Sequence, residues 1–125
     1  MARILIVDDS PTETHLIRGM LTSQGHEVLE ASSGEEGVAI AGKELPDMVL
    51  MDIVMPGLNG FQATRQISRD QRTNHIPVVI VTTKNQETDR VWGKRQGARG
   101  YLVKPVQENM LFATIKDVLK PNNNN

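Results

Sequence analysis

The sequence has no cysteine. That excludes disulfides and thiolate-held metal, and it fits a reducing compartment. Long apolar runs are missing as well: no stretch approaches the roughly 18 residues that a membrane span needs. The N-terminus, MARILIVDDS, offers one basic residue and four apolar ones before a pair of aspartates, too little for a secretory signal. Charge of one sign is also lacking. Fourteen Lys and Arg against 15 Asp and Glu leave a net charge of −1. No overall field therefore draws the protein to nucleic acid or to an anionic membrane. What remains is the composition of an ordinary soluble protein, 38% hydrophobic and 23% charged, and 125 residues suit one domain with one core. The expectation is a cytoplasmic single domain over residues 1–120, with residues 121–125 a polar, disordered tail.

Apolar runs alternate with helical patterns. Arg3 to Val7, Glu27 to Ala31, Met48 to Met51, Pro77 to Thr82 and Tyr101 to Val103 read as strands. The first helix starts at Ser10-Pro11-Thr12-Glu13, a capping box with proline at the first helical position. Leu16, Ile17, Met20 and Leu21 share one of its faces, and Gly25 is a stop. Ser33-Gly34-Glu35-Glu36 repeats the box for a second helix, and Asn59 with Gln62 caps a third reaching to about Arg69. Glu87 to about Gln96 is the fourth helix. Leu111, Ile115 and Val118 mark the core stripe of the fifth. Strands apolar on both faces and alternating with helices imply a parallel sheet covered on both sides, hence a doubly wound (βα)5 α/β fold.

In such folds the functional site lies beyond the carboxyl ends of the strands. Strand one ends in Asp8-Asp9, strand three in Asp52, strand four in Thr82-Thr83 and strand five in Lys104. With the flavodoxin-like order 2-1-3-4-5 these ends converge. Asp52 then sits at the mouth of the sheet rather than buried within it. Three carboxylates packed together repel unless a cation lies among them. All-oxygen ligands without His or Cys suit a hard ion, and few protein ligands favour Mg²⁺, which keeps waters and binds phosphate. A carboxylate beside Mg²⁺ can attack a phosphoryl donor, while a lysine and a hydroxyl neutralise the equatorial oxygens.

Asp8-Asp9, the pattern D-xx-MPG-xx-G from Asp52 to Gly60, Val81-Thr82-Thr83 and Lys104-Pro105 occur in this order. Together they resemble the response-regulator receiver domain of two-component signalling, over residues 2 to about 119. The resemblance implies a CheY-like fold and a set of roles. Asp52 is the phosphoacceptor, becoming an aspartyl phosphate. Asp9 is the main direct Mg²⁺ ligand, Asp8 a ligand through water, and the backbone carbonyl of Val54 a further ligand. Thr82 hydrogen-bonds the phosphoryl group and moves toward it. Lys104 pairs with it, and the Lys104-Pro105 bond is cis. Tyr101 occupies an aromatic switch position. The donor is a phosphohistidine on a sensor kinase of CheA type, and the target docks on the face of helix 4, strand 5 and helix 5. Val54 departs from relatives that carry a polar side chain there to orient the hydrolytic water; Lys84 is the other position that tunes this step. The stretches MPGLNGFQATRQ and VWGKRQGARGYLVKPV are similar to the stand-alone, PilH-type regulators of type IV pilus twitching motility. With no second domain in the chain, output through protein contact is the expectation, by a phosphoacceptor that catalyses only its own phosphorylation and dephosphorylation.

Each residue also has a plainer reading. Asp8-Asp9 can complement a helix dipole, Asp52 can cap a loop, and Lys104 can be a solvated lysine. Their joint placement at neighbouring strand ends argues against these. Tyr101 alone reads as half-buried packing with a wet hydroxyl. Trp92, the one tryptophan, is either surface packing or a partner contact. His15, His26 and His75 read as solvated. Arg90, Lys94, Arg95 and Arg99 form a basic cluster, a solvated face or an attractor for an acidic partner patch. Other classes stay open: a phosphate sink for a shared kinase, a receiver for flagellar chemotaxis or another output, a flavin binder, an aspartate-based phosphatase, and a pseudo-receiver scaffold. A flavin phosphate meets repulsion at Asp8-Asp9. The phosphatase lacks a second acid at Val54.

Overall fold

Five strands and five helices alternate along the chain in the computed structural model, which describes residues 1–120. They are β1 (Arg3–Val7), α1 (Pro11–Ser23), β2 (Glu27–Ala31), α2 (Gly34–Glu44), β3 (Met48–Met51), α3 (Gly60–Arg69), β4 (Val78–Thr82), α4 (Glu87–Gln96), β5 (Gly100–Val103) and α5 (Glu108–Leu119). The disordered tail expected at 121–125 lies outside the described residues. All pairings are parallel, and the sheet order is β2-β1-β3-β4-β5. This is the doubly wound architecture expected from the pattern, with the CheY-like fold that the resemblance implies.

Alternation along the strands divides the core in two. Ile4, Ile6, Leu50, Val79 and Val81 pack with Ile17 and Leu21 of α1 and with Leu111 and Ile115 of α5. Leu5, Val7, Val49, Met51 and Val78 pack with Ala41 of α2 and with Ala63 and Ile67 of α3. Successive strand side chains point to opposite faces, so a strand covered on both sides is apolar throughout. β3 and β4 are accordingly buried at every position.

The caps depart from the expected boxes. Ser10 accepts from the Glu13 N–H at 3.3 Å, but its own N–H donates to Asp8 Oδ1 at 2.9 Å, which takes the place of the reciprocal bond. Ser33 accepts from the Glu36 N–H at 3.1 Å, while the Glu36 carboxylate takes the N–H of Ser32 at 2.7 Å instead of that of Ser33. Of these three helices α3 carries the full box, with both Asn59–Gln62 bonds at 2.9 Å.

Two expectations on the first half of the chain are corrected. Leu16 is 52% exposed. The inward face of α1 carries Thr14, Ile17 and Leu21, and Leu16 lies about 100° around the helix from Ile17, on the side away from them. His26 is not freely solvated: its Nδ1 accepts the Ala2 N–H at 3.1 Å. Burial, and then the charged N-terminus, lower its pKa.

Candidate functional site

Strand register assembles the site. Val7 stands opposite Met51, so the next residues, Asp8 and Asp52, emerge side by side. The Asp52 N–H donates to the Val7 carbonyl at 2.9 Å and the Asp8 N–H to the Ala31 carbonyl at 3.1 Å, which fixes both backbones. Thr82 stands opposite Val103, and the Lys104 N–H donates to the Thr82 carbonyl at 2.8 Å. Carboxylate oxygens of Asp8, Asp9 and Asp52 lie within 4.8 Å of one another. Lys104 Nζ is 2.7 Å from Asp8 Oδ2 and 3.6 Å from Asp52 Oδ2. The Lys104-Pro105 bond is cis.

Asp52 differs from expectation in one respect. It follows β3 rather than lying within it, yet it is buried, at 7% exposure. Its carboxylate lies among Asp8, Lys104 and Thr82, which come from the other strand ends. Burial raises its pKa and the neighbouring Asp8 charge adds to the rise; the Lys104 charge, the Ile53 N–H at 2.8 Å and the Thr82 hydroxyl oppose it. Burial also disfavours the charge on Lys104. The hydrogen bond it donates to Asp8 and the fields of Asp52 and Asp8 outweigh that, so its pKa is raised. The site thus stores a carboxylate whose charge is only partly compensated by protein groups.

The donor set fits a hard, hydrated cation such as Mg²⁺: it is entirely oxygen and supplies few ligands. Both oxygens of Asp8 are already engaged, one by the Ser10 N–H and one by Lys104. Asp9 is exposed and Asp52 has one oxygen on the Ile53 N–H. Val54, in the loop after β3, is 56% exposed.

That loop is held from two sides. The Leu58 N–H donates to Glu35 Oε2 at 3.0 Å, and this backbone hydrogen bond is the main reason the Glu35 pKa is lowered. Gly57 has φ +76°, and a Cβ there would stand 2.8 Å from Glu35 Oε2. On the other side, a Cβ at Gly60 would stand 2.0 Å from the Asp52 carbonyl oxygen. The first turn of α3 therefore rests directly on the backbone of Asp52, and the Gly60 N–H donates to the Ile53 carbonyl at 3.0 Å. Sequence reading missed both roles. Glu35 was legible only as a helix-start acid, since its partner lies 23 residues away.

Thr82 and Tyr101 do not touch through a bond of their own but share Lys84. The Lys84 N–H reaches Thr82 Oγ1 at 3.4 Å, and the Tyr101 hydroxyl donates to the Lys84 carbonyl at 2.7 Å. The tyrosine hydroxyl is thus bonded to protein rather than simply wet. Arg90 lies over its ring at 4.9 Å from the centroid. Burial raises the Tyr101 pKa, with the Asp89 charge adding and Arg90 opposing. Trp92 is 48% exposed on α4.

Comparison with known proteins agrees with this geometry. The family model of the response regulator receiver domain matches residues 4–116. Protein PilH of Pseudomonas aeruginosa is 67% identical over 119 residues, covering 95% of this chain and 98% of that protein. The Vibrio cholerae chemotaxis protein CheY4 superposes with TM-score 0.89 at 33% identity, over 95% of this chain and 99% of that one. The receiver domain of the Pseudomonas aeruginosa sensor histidine kinase PA1611 has TM-score 0.89 and 29% identity, over 96% of this chain and 98% of that one. That structure holds a magnesium ion in its active-site cleft.

Proposed function

The chain belongs to the response regulator receiver family, and on that premise we propose that it takes a phosphoryl group from a histidine kinase onto Asp52 and signals by changing a protein contact. The observation that carries this is the carboxylate of Asp52 within 4.8 Å of those of Asp8 and Asp9, with the Lys104 ammonium 3.6 Å away. Mg²⁺ would be held by Asp9, Asp52 and the Val54 carbonyl directly and by Asp8 through water. When bound it supplies positive charge against the carboxylates and the incoming phosphoryl oxygens.

An Asp52 oxygen attacks phosphorus, and the P–N bond of the donor phosphohistidine breaks. The electron pair returns to the imidazole, which takes a proton from water. Lys104 exchanges part of its hold on Asp8 for a phosphoryl oxygen. The Thr82 hydroxyl donates to another. That shift draws on the Thr82–Lys84–Tyr101 chain of hydrogen bonds and biases the face formed by α4, β5 and α5. Val54 offers no polar group to orient a hydrolytic water. Turnover is limited to the protein's own phosphorylation and dephosphorylation.

Likeness to PilH supports a finer reading: a kinase of CheA type as donor and type IV pilus twitching motility as output, in the cytoplasm, with no nucleic-acid or membrane partner. No helix among the described residues is long and apolar enough to cross a membrane. Acetyl phosphate with Mg²⁺ is expected to add about 80 Da to the protein, and Asp52→Asn to abolish the adduct. An unchanged mass, or an adduct that persists on Asp52→Asn, overturns the reading. Expression in a Pseudomonas aeruginosa strain lacking PilH tests the output: restored twitching supports it, and restoration by Asp52→Asn as well counts against phosphorylation as the signal.

A further inference from the structure

The first turn of α2 grips the mouth of the sheet at consecutive positions. A Cβ at Gly34 would stand 2.3 Å from the Leu58 carbonyl oxygen, so the helix backbone rests on the backbone of the β3–α3 loop. Glu35 takes the Leu58 N–H at 3.0 Å. Glu36 takes the Ser32 N–H at 2.7 Å and the Ser32 hydroxyl at 3.1 Å, which ties the β2–α2 loop to the same turn. A Cβ at Gly37 would stand 2.8 Å from a Val7 methyl group, and Val7 is the residue before Asp8. Further along α2, Ala41 packs in the core with Ala63 and Ile67 of α3.

These contacts hold the β3–α3 loop between fixed ends. At its start, the Asp52 N–H is bonded to the Val7 carbonyl, and the Ile53 carbonyl takes the Gly60 N–H. At its end, Leu58 meets Gly34 through its carbonyl and Glu35 through its N–H, one residue before Asn59 caps α3. Val54 lies between, four residues from Leu58. A displacement of the Val54 carbonyl is therefore passed along a short, tethered segment to Leu58. There it meets backbone against backbone at Gly34, a contact with no flexible side chain to absorb it. Closely packed elements shift as units rather than deform continuously.

We propose that α2 reports the state of the site. Gly34 and Glu35 are positioning residues of the loop that carries Val54, and a shift of that loop on occupation of the metal position passes through them to α2. The proposal rests on the reading of the chain as a Mg²⁺-dependent receiver. It gives that receiver a second moving element, one that draws on neither Thr82 nor Tyr101. Such coupling is reciprocal: a contact that restrains α2 changes Mg²⁺ affinity by the factor by which Mg²⁺ changes that contact.

The test is amide hydrogen exchange along α2, residues 34–44 of the full chain, without Mg²⁺, at saturating Mg²⁺, and with acetyl phosphate added. Mg²⁺ occupancy is followed by titration calorimetry and the adduct by mass. Exchange in the first two turns of α2 is expected to change about threefold or more when Mg²⁺ binds. Glu35→Ala is expected to abolish that difference at saturating Mg²⁺. Glu35→Gln, which keeps an oxygen to accept the Leu58 N–H, is expected to retain most of it. A purely structural role for Glu35 would alter exchange equally with and without the ion and leave the difference intact, which overturns the proposal. So does an α2 that exchanges alike in all three states while Mg²⁺ binds and the adduct forms; the receiver reading then stands. Absence of both Mg²⁺ binding and the adduct overturns the receiver reading, and this proposal with it.

Discussion

Lys104 Nζ lies closer to Asp8 than to Asp52, 2.7 Å against 3.6 Å. On the proposed reading of Asp52 as phosphoacceptor, the cation that would meet the phosphoryl group is held in reserve by the neighbouring Asp8. Removing it strands two buried carboxylates. In Mg²⁺-free buffer, Lys104→Met is expected to cost about 3 kcal/mol. Asp52→Asn should have the opposite sign and stabilise by about 1 kcal/mol, because it removes a carboxylate that burial and Asp8 both disfavour. Urea unfolding of the two variants checks this; the same sign for both would show that the charges do not govern stability here.

Glu35 is expected to tune metal binding without touching the metal. It anchors the Leu58 N–H and so the loop that carries Val54. Glu35→Ala frees that loop, and Mg²⁺ affinity measured by titration calorimetry should fall by up to about tenfold. The rate of phosphorylation at saturating Mg²⁺ should stay close to that of the unmodified protein. Unchanged Mg²⁺ affinity would remove Glu35 from the site.

The strand ends were legible because parallel sheets carry continuous apolar runs and break at their mouths into polar residues; Asp8, Asp9, Asp52, Thr82 and Lys104 could be read off in that way. Register then brings Asp8 beside Asp52 with no further information. What stayed hidden depends on contacts between distant residues. Glu35 meets Leu58 across 23 residues, and Tyr101 meets Lys84 across 17. No periodicity marks such pairs. Burial of Asp52 was hidden for the same reason, since the neighbours of its carboxylate, Asp8, Thr82 and Lys104, come from distant parts of the chain. Leu16 was misplaced because an apolar residue on a short helix can lie outside the inward stripe, and the exact rotation is decided by packing.

Two glycine substitutions should part company. Gly60→Ala places a methyl group where the Asp52 carbonyl oxygen would be 2.0 Å away, and backbone rather than a flexible side chain must give. The expected loss is about 3 kcal/mol. Gly19 lies within α1 with nothing within 4 Å of a built Cβ, so Gly19→Ala should stabilise by about 0.5–1 kcal/mol through helix propensity. Thermal melts of the two variants give the comparison. A tolerated Gly60→Ala would mean that α3 can back away from Asp52.

His26 should make the fold sensitive to mild acid. Its Nδ1 accepts the Ala2 N–H, a bond that only the neutral ring with its proton on Nε2 can make. Burial and the N-terminal charge lower its folded-state pKa below the ordinary 6.5. Between the folded and unfolded pKa values the unfolded chain binds more protons, so stability rises with pH across that window and falls as pH drops below 6.5. The loss is complete once pH is below the folded value, where both states are protonated. Urea midpoints taken from about pH 7.5 down to about pH 5.5 should therefore decline, ahead of the range in which most carboxylates titrate. His26→Gln removes the titrating group and should flatten that decline while leaving the midpoint at the alkaline end little changed. If the decline survives the substitution, proton uptake in this range belongs to another group and the Ala2–His26 contact does not couple stability to pH.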